Sequence, residues 1–301
     1  MPNRRTFLTT TAKATALALS ARFSTVPPAK PLLSFSTLGC PRWSLDQILA
    51  CASTNGYKGL ELRGLQGELD LPKCPEFSTP ERIKATRRIV EDKGVRIINL
   101  GTSTQLHHAD ATKRREQLDH AKRFIDLAAQ LNCPYVRVFP NDLPANQDRQ
   151  QTIDLIIGGL VDLGTFVGNG PVSILLESHG KVIESALLNQ IMTSANRSNV
   201  GLIWDVVNMW SVTKEPPIEV YRVLKPHIRH VHLKDAKLTG DKLQYTLLGE
   251  GEAPLAEAIG ALTKGGYSGY YSFEWEKLWH PELPDPEIAM PHFAKTVQRY
   301  F

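Results

Sequence analysis

Four short stretches in the second half of the chain set a group capable of chemistry directly after an apolar run. They read Ile174-Leu-Leu-Glu177-Ser-His179, Leu202-Ile-Trp-Asp205-Val-Val-Asn208, His230-Val-His232-Leu-Lys234-Asp235 and Tyr271-Ser-Phe-Glu274-Trp-Glu276. A carboxylate or imidazole closing a buried strand is costly unless it is paired or holds a cation. Any one of these residues alone reads equally well as a structural ion pair or a hydrogen-bonded core side chain. Their recurrence on successive strands points instead to one shared metal site. Glu177, Asp205, His232 and Glu274 would supply it with three carboxylates and one imidazole. That oxygen-rich set suits one Mn²⁺, Mg²⁺ or Co²⁺ ion, and the imidazole admits Zn²⁺. No thiolate lies near, which argues against a structural zinc.

Such groups converge only if the strands that carry them lie side by side. After Pro27-Pro28-Ala29-Lys30-Pro31 a pattern recurs: a short aliphatic or β-branched run, an amphipathic segment, then a Gly or Pro turn. The strand candidates are Leu33–Leu38, Gly59–Leu62, Arg96–Leu100, Tyr135–Phe139, Ser173–Glu177, Val200–Asp205, His230–Lys234 and Tyr270–Trp275, eight in all. The clearest helix runs from about Thr112 to Leu131, with Leu118, Ala121, Ile125, Ala128 and Leu131 on one face. Strand–helix alternation with right-handed crossovers builds a parallel sheet. Eight repeats close economically into a single-domain α/β fold, the (β/α)8 TIM barrel, over residues 30–301. An open doubly wound sheet is the alternative, but no Gly-x-Gly-x-x-Gly follows the first strand. In a barrel the reactive groups sit at the C-terminal strand ends, where the four motifs fall.

Charge locates a separate N-terminal segment. The formal net charge is +4, from 35 basic and 31 acidic residues. Arg4, Arg5, Lys13 and Arg22 precede position 30 with no acid among them, so the remainder is near neutral. The excess therefore gives no reason to expect a nucleic-acid partner. Asn3-Arg-Arg-Thr-Phe-Leu8 followed by a weakly apolar stretch to Ala21 resembles a twin-arginine export signal. Residues 1–29 are thus expected to be signal peptide and linker, and the barrel periplasmic. The stretch is too short to span a bilayer, which takes ~20 apolar residues. Cys40, Cys51, Cys74 and Cys133 lack metal-binding spacing and read as free thiols.

Strand by strand, Glu177, Asp205, His232 and Glu274 match the metal ligands of the xylose isomerase-like sugar isomerases and epimerases. His230-Val-His-Leu-Lys-Asp235 and Leu248-Gly-Glu-Gly-Glu252 also resemble that family's seventh strand and the loop after it. The resemblance covers essentially all of 30–301 and implies a metal-assisted enzyme that removes a proton alpha to a sugar carbonyl. It assigns Glu177 and Glu274 as the pair that moves protons. His179, Lys234, Arg63 after the second strand and Arg137 on the fourth are candidates for contacting substrate. Asn208 stands where many members carry a substrate-touching His, and the Glu276–Pro284 segment reads as a lid unlike that of the small ketose epimerases.

The leading expectation is an isomerase or epimerase with a small sugar as partner. Elimination follows the same first step if a leaving group lies beta to the carbanion, giving a keto-glycoside lyase or inosose-type dehydratase. A non-catalytic sugar-binding barrel is the third reading. An abasic-site endonuclease would need a His-rich multi-metal cluster and a basic groove.

Overall fold

The structure is a computed structural model and describes residues 30–240 and 242–301. The expected export signal at 1–29 lies outside the described residues. One compact unit spans Pro31–Phe301.

Its strands are β1 (Leu32–Ser36), β2 (Gly59–Leu62), β3 (Arg96–Gln105), β4 (Tyr135–Phe139), β5 (Ser173–Glu177), β6 (Val200–Asp205), β7 (Ile228–Leu233), β8 (Asp235–Thr239), β9 (Lys242–Thr246) and β10 (Tyr270–Phe273). The helices are α1 (Leu45–Asn55), α2 (Pro80–Asp92), α3 (Ala111–Gln130), α4 (Arg149–Val167), α5 (Ser185–Ala195), α6 (Val206–Thr213), α7 (Pro217–Leu224), α8 (Leu255–Lys264) and α9 (Pro286–Thr296). Eight strands close into a parallel barrel in the order β1-β10-β7-β6-β5-β4-β3-β2, while β8 and β9 form a separate antiparallel hairpin. The expected (β/α)8 TIM barrel is therefore the fold.

Local chemistry explains the punctuation. Ser44 and Gln47 form a reciprocal capping box at the start of α1, and Gly56, at φ +77°, ends it in the left-handed conformation. The α3 face is as expected, with Ala121, Ile125 and Ala128 buried and Phe124 and Leu127 joining them. Four strands differ from the expected bounds. β7 runs Ile228–Leu233 and not His230–Lys234, and β10 stops at Phe273 and not Trp275. β1 stops at Ser36, whose Oγ accepts from Leu38 N and turns the chain into a short 3-10 segment. β3 continues to Gln105, through a register shift against β4 after Gly101. A Cβ on Gly101 would lie 2.8 Å from Arg137 Nη2, so the glycine lets that side chain cross the barrel.

The hairpin β8–β9 was not expected. Its first residue, Asp235, accepts from the backbone N–H groups of Gly249 (2.8 Å), Gly251 (3.1 Å), Ala236 (2.9 Å) and Ala253 (3.4 Å). This ties the Leu248–Ala253 loop to the end of β7. All four cysteines are free. Among the described residues, no helix is long and apolar enough to cross a membrane.

Candidate metal and sugar site

Parallel register brings the four motif residues together. Asp205 on β6 is the register partner of His232 on β7, Glu177 closes β5, and Glu274 follows β10. One ligand atom from each of Glu177, Asp205, His232 and Glu274 lies within 4.8 Å of the others, and all four side chains are buried. His232 Nδ1 is 3.3 Å from Glu274 Oε1, 3.5 Å from Glu177 Oε1 and 3.9 Å from Asp205 Oδ2.

Among the described residues, two buried atoms in this cluster have no hydrogen-bond partner, His232 Nδ1 and Asp205 Oδ2. Orphaned lone-pair atoms among converging carboxylates are what a cation site requires, so the donor set fits a divalent ion. Asp205 is divided between two tasks: its Oδ1 accepts from Asn208 N at 2.8 Å and caps α6, leaving Oδ2 to the cluster.

Lys234 is fully buried beside these ligands. Its Nζ lies 2.7 Å from Asp205 Oδ2, 2.7 Å from Glu274 Oε2 and 2.8 Å from Glu276 Oε1. The contact with Oδ2 is an ion pair, so a bound cation would share that oxygen with the ammonium. On the opposite side Arg137 Nη1 lies 2.7 Å from Glu177 Oε2.

These charges set the protonation states. Burial pushes the Glu274 carboxyl up, but His232 and Lys234 outweigh it and hold the group well below the usual range. Glu177 is raised by burial and by Glu274, yet Arg137 and His232 leave it lowered overall. Asp205, with burial dominant and Lys234 opposing, is pushed up to about 7. Burial disfavours the charged forms of His232 and Lys234, but the surrounding carboxylates raise both well above their ordinary values.

A polar cavity of about 260 Å³ opens onto the cluster at the C-terminal face. Glu177, Glu274, Arg63, Arg137 and His179 all line it, as expected. Lys234 lies beneath the lining, whereas Asn208 is absent from it and meets the cluster through its backbone N–H to Asp205. Arg63 Nη2 donates to Ser103 Oγ at 3.0 Å, and its guanidinium lies 6.0 Å from the Trp279 ring. Trp279, half exposed at the mouth, places the Glu276–Pro284 segment over the site. A larger cavity of about 620 Å³ opens at the other end of the barrel, and among the described residues its lining carries no carboxylate or imidazole.

Glu61, His230, Asn99 and Glu276 join the site without a role that the sequence alone assigns them. Glu276 extends the carboxylate set, and a signal was present in Glu274-Trp-Glu276. Glu61 was signalled only by a charge inside the apolar run Gly59-Leu-Glu-Leu62.

Comparison with known proteins agrees with the fold. The family described as "Xylose isomerase-like TIM barrel" matches residues 49–293, and the chain belongs to that family. Fructoselysine 3-epimerase of Shigella flexneri is 23% identical over 257 residues, covering 82% of this chain and 90% of the relative. The IOLI protein, solved with a bound zinc atom, superposes with a TM-score of 0.72 at 18% identity, over 89% of this chain and 96% of that one. D-psicose 3-epimerase of Clostridium cellulolyticum H10, solved with D-tagatose, gives a TM-score of 0.71 at 14% identity, over 89% and 98%.

Proposed function

We propose that this member of the xylose isomerase-like TIM-barrel family is a divalent-metal-dependent isomerase or epimerase acting alpha to the carbonyl of a sugar or keto-sugar. The observation that carries the reading is the convergence of Glu177, Asp205, His232 and Glu274 within 4.8 Å beneath a polar cavity. The epimerase activities of the fructoselysine and D-psicose enzymes support the substrate class, and the zinc of the IOLI protein supports the cation.

Glu177, Asp205, His232 and Glu274 would hold one Mn²⁺, Mg²⁺, Co²⁺ or Zn²⁺ ion, which when bound supplies polarisation of a carbonyl and its neighbouring hydroxyl. Glu177 and Glu274 are the proton carriers. Each is kept ionised by a cation on one oxygen, Arg137 for Glu177 and Lys234 for Glu274. One ionised carboxylate takes the C–H proton as general base, and the other returns a proton as general acid after first taking one from solvent or a sugar hydroxyl. Arg137, in the cavity lining, supplies fixed positive charge to stabilise developing negative charge on substrate, while Lys234 beneath it orients Asp205, Glu274 and Glu276. His179 and Arg63 are positioned for sugar hydroxyls, and Trp279 offers a flat apolar face to the ring. The Arg4-Arg5 leader supports export to the periplasm as part of the same reading.

The test is NMR of the metal-loaded protein with ketoses and 3-keto-glucosides in D₂O, with mass spectrometry of the products. Deuterium should enter at the carbon beside the carbonyl and the sugar skeleton should stay intact. A released alcohol with an unsaturated sugar would assign elimination instead. Absence of exchange with every probe would overturn the catalytic reading.

A further inference from the structure

Glu61 stands in the interior of β2 with leucines on either side and is 3% exposed. An ionised carboxylate at that depth needs several donors, and the barrel supplies them from three other strands. Oε2 accepts from Asn99 Nδ2 of β3 at 2.6 Å and lies 3.0 Å from His232 Nε2 of β7. Oε1 accepts from Ser272 Oγ of β10 and lies 3.0 Å from His230 Nε2.

The consequence falls on His232, whose ring has one nitrogen on each side of this arrangement. Nε2 meets a carboxylate already fixed by Asn99 and Ser272, so Nε2 is the nitrogen that carries a proton. The lone pair of the neutral ring is then on Nδ1, the atom facing Glu177, Asp205 and Glu274. We infer that Glu61 is a positioning residue: it locks His232 in the Nε2–H tautomer and thereby presents Nδ1 to the cation. The inference rests on the metal-dependent reading above.

Glu61, His230 and His232 also bring ligand atoms within 4.8 Å of one another, which raises the competing possibility of a second cation there. Donors from Asn99 and Ser272 already occupy both Glu61 oxygens, which favours the positioning role.

The test combines Zn²⁺ and Mn²⁺ titration of the metal-free protein with ¹⁵N NMR of the His232 ring in the Zn²⁺ form. The wild type should bind one ion per chain, with Nε2 protonated and Nδ1 bearing the metal. Glu61→Gln should weaken binding about 10- to 100-fold, the usual effect of removing a carboxylate behind a ligating histidine. Two ions per chain, metal on Nε2, or unchanged affinity in Glu61→Gln would each overturn the inference. If Glu61→Gln fails to fold, the wild-type ring tautomer and stoichiometry still decide. A wild type that binds no divalent ion would sink the metal-dependent reading together with this one. Wild-type binding with metal on Nε2 would sink this one alone.

Discussion

Arg137 Nη1 lies 2.7 Å from Glu177 Oε2, with both side chains almost fully buried. The guanidinium also sits 3.9 Å from the Phe139 ring centre and passes over Gly101. Glu177 is thereby held in one orientation, and only Oε1 faces the cluster. Removing the cation from such a pair leaves a buried carboxylate uncompensated. Arg137→Met should therefore destabilise the metal-free protein by about 3–5 kcal/mol. Urea denaturation measures this, and a loss below about 1 kcal/mol would contradict a tightly buried pair.

Glu177 and Glu274 are assigned both ligand and proton duties, which substitution can separate. Glu→Gln keeps the shape and one ligating oxygen but removes the basic carboxylate. With metal saturating, Glu177→Gln and Glu274→Gln should still bind sugar yet lose at least ~10²-fold in turnover. Steady-state kinetics with metal content measured on the same samples provides the check. Near-normal rates in both would move the proton carrier to His179, Lys234 or Glu276.

Metal affinity should depend on pH in one direction. Asp205 titrates near 7 and must be ionised to ligate, while His232, held protonated by its carboxylate neighbours, must give up a proton. Both changes make cation uptake release protons, so affinity should rise as pH increases through about 7. Calorimetry in two buffers of different ionisation enthalpy reads the proton count. A pH-independent dissociation constant between about pH 6 and 8 would be incompatible with these protonation states.

Asp235 anchors four backbone N–H groups of the hairpin and following loop, and a Cβ on Gly251 would meet its Oδ1 at 2.0 Å. Asp235→Ala should cost about 3 kcal/mol, as for loss of hydrogen bonds to a charged acceptor. It should also expose the 247–253 segment to proteolysis. Equilibrium unfolding and limited digestion with a glutamate-specific protease, which can cut after Glu250 and Glu252, would report the two effects separately.

Export is expected to depend on the paired arginines. Arg4→Lys with Arg5→Lys should leave full-length precursor in the cytoplasm, detected by fractionation. Normal processing of the double variant would remove the twin-arginine assignment.

The sequence by itself determined the barrel, because hydrophobic runs alternating with amphipathic segments encode strand and helix locally. It also determined the four ligand candidates, since a charge closing an apolar run is visible without knowing its neighbours. Tertiary structure decided what those charges meet. Glu61 and His232 are 171 positions apart, and only closure of β2 and β7 into one barrel puts Nε2 against a carboxylate and turns Nδ1 to the cluster. Closure also separated Asn208, which meets the cluster through its backbone, from Glu276, which lines the cavity and contacts Lys234. Residue type and periodicity are local properties of the chain, whereas hydrogen-bond partners and protonation states depend on groups far apart in sequence and excluded from water together.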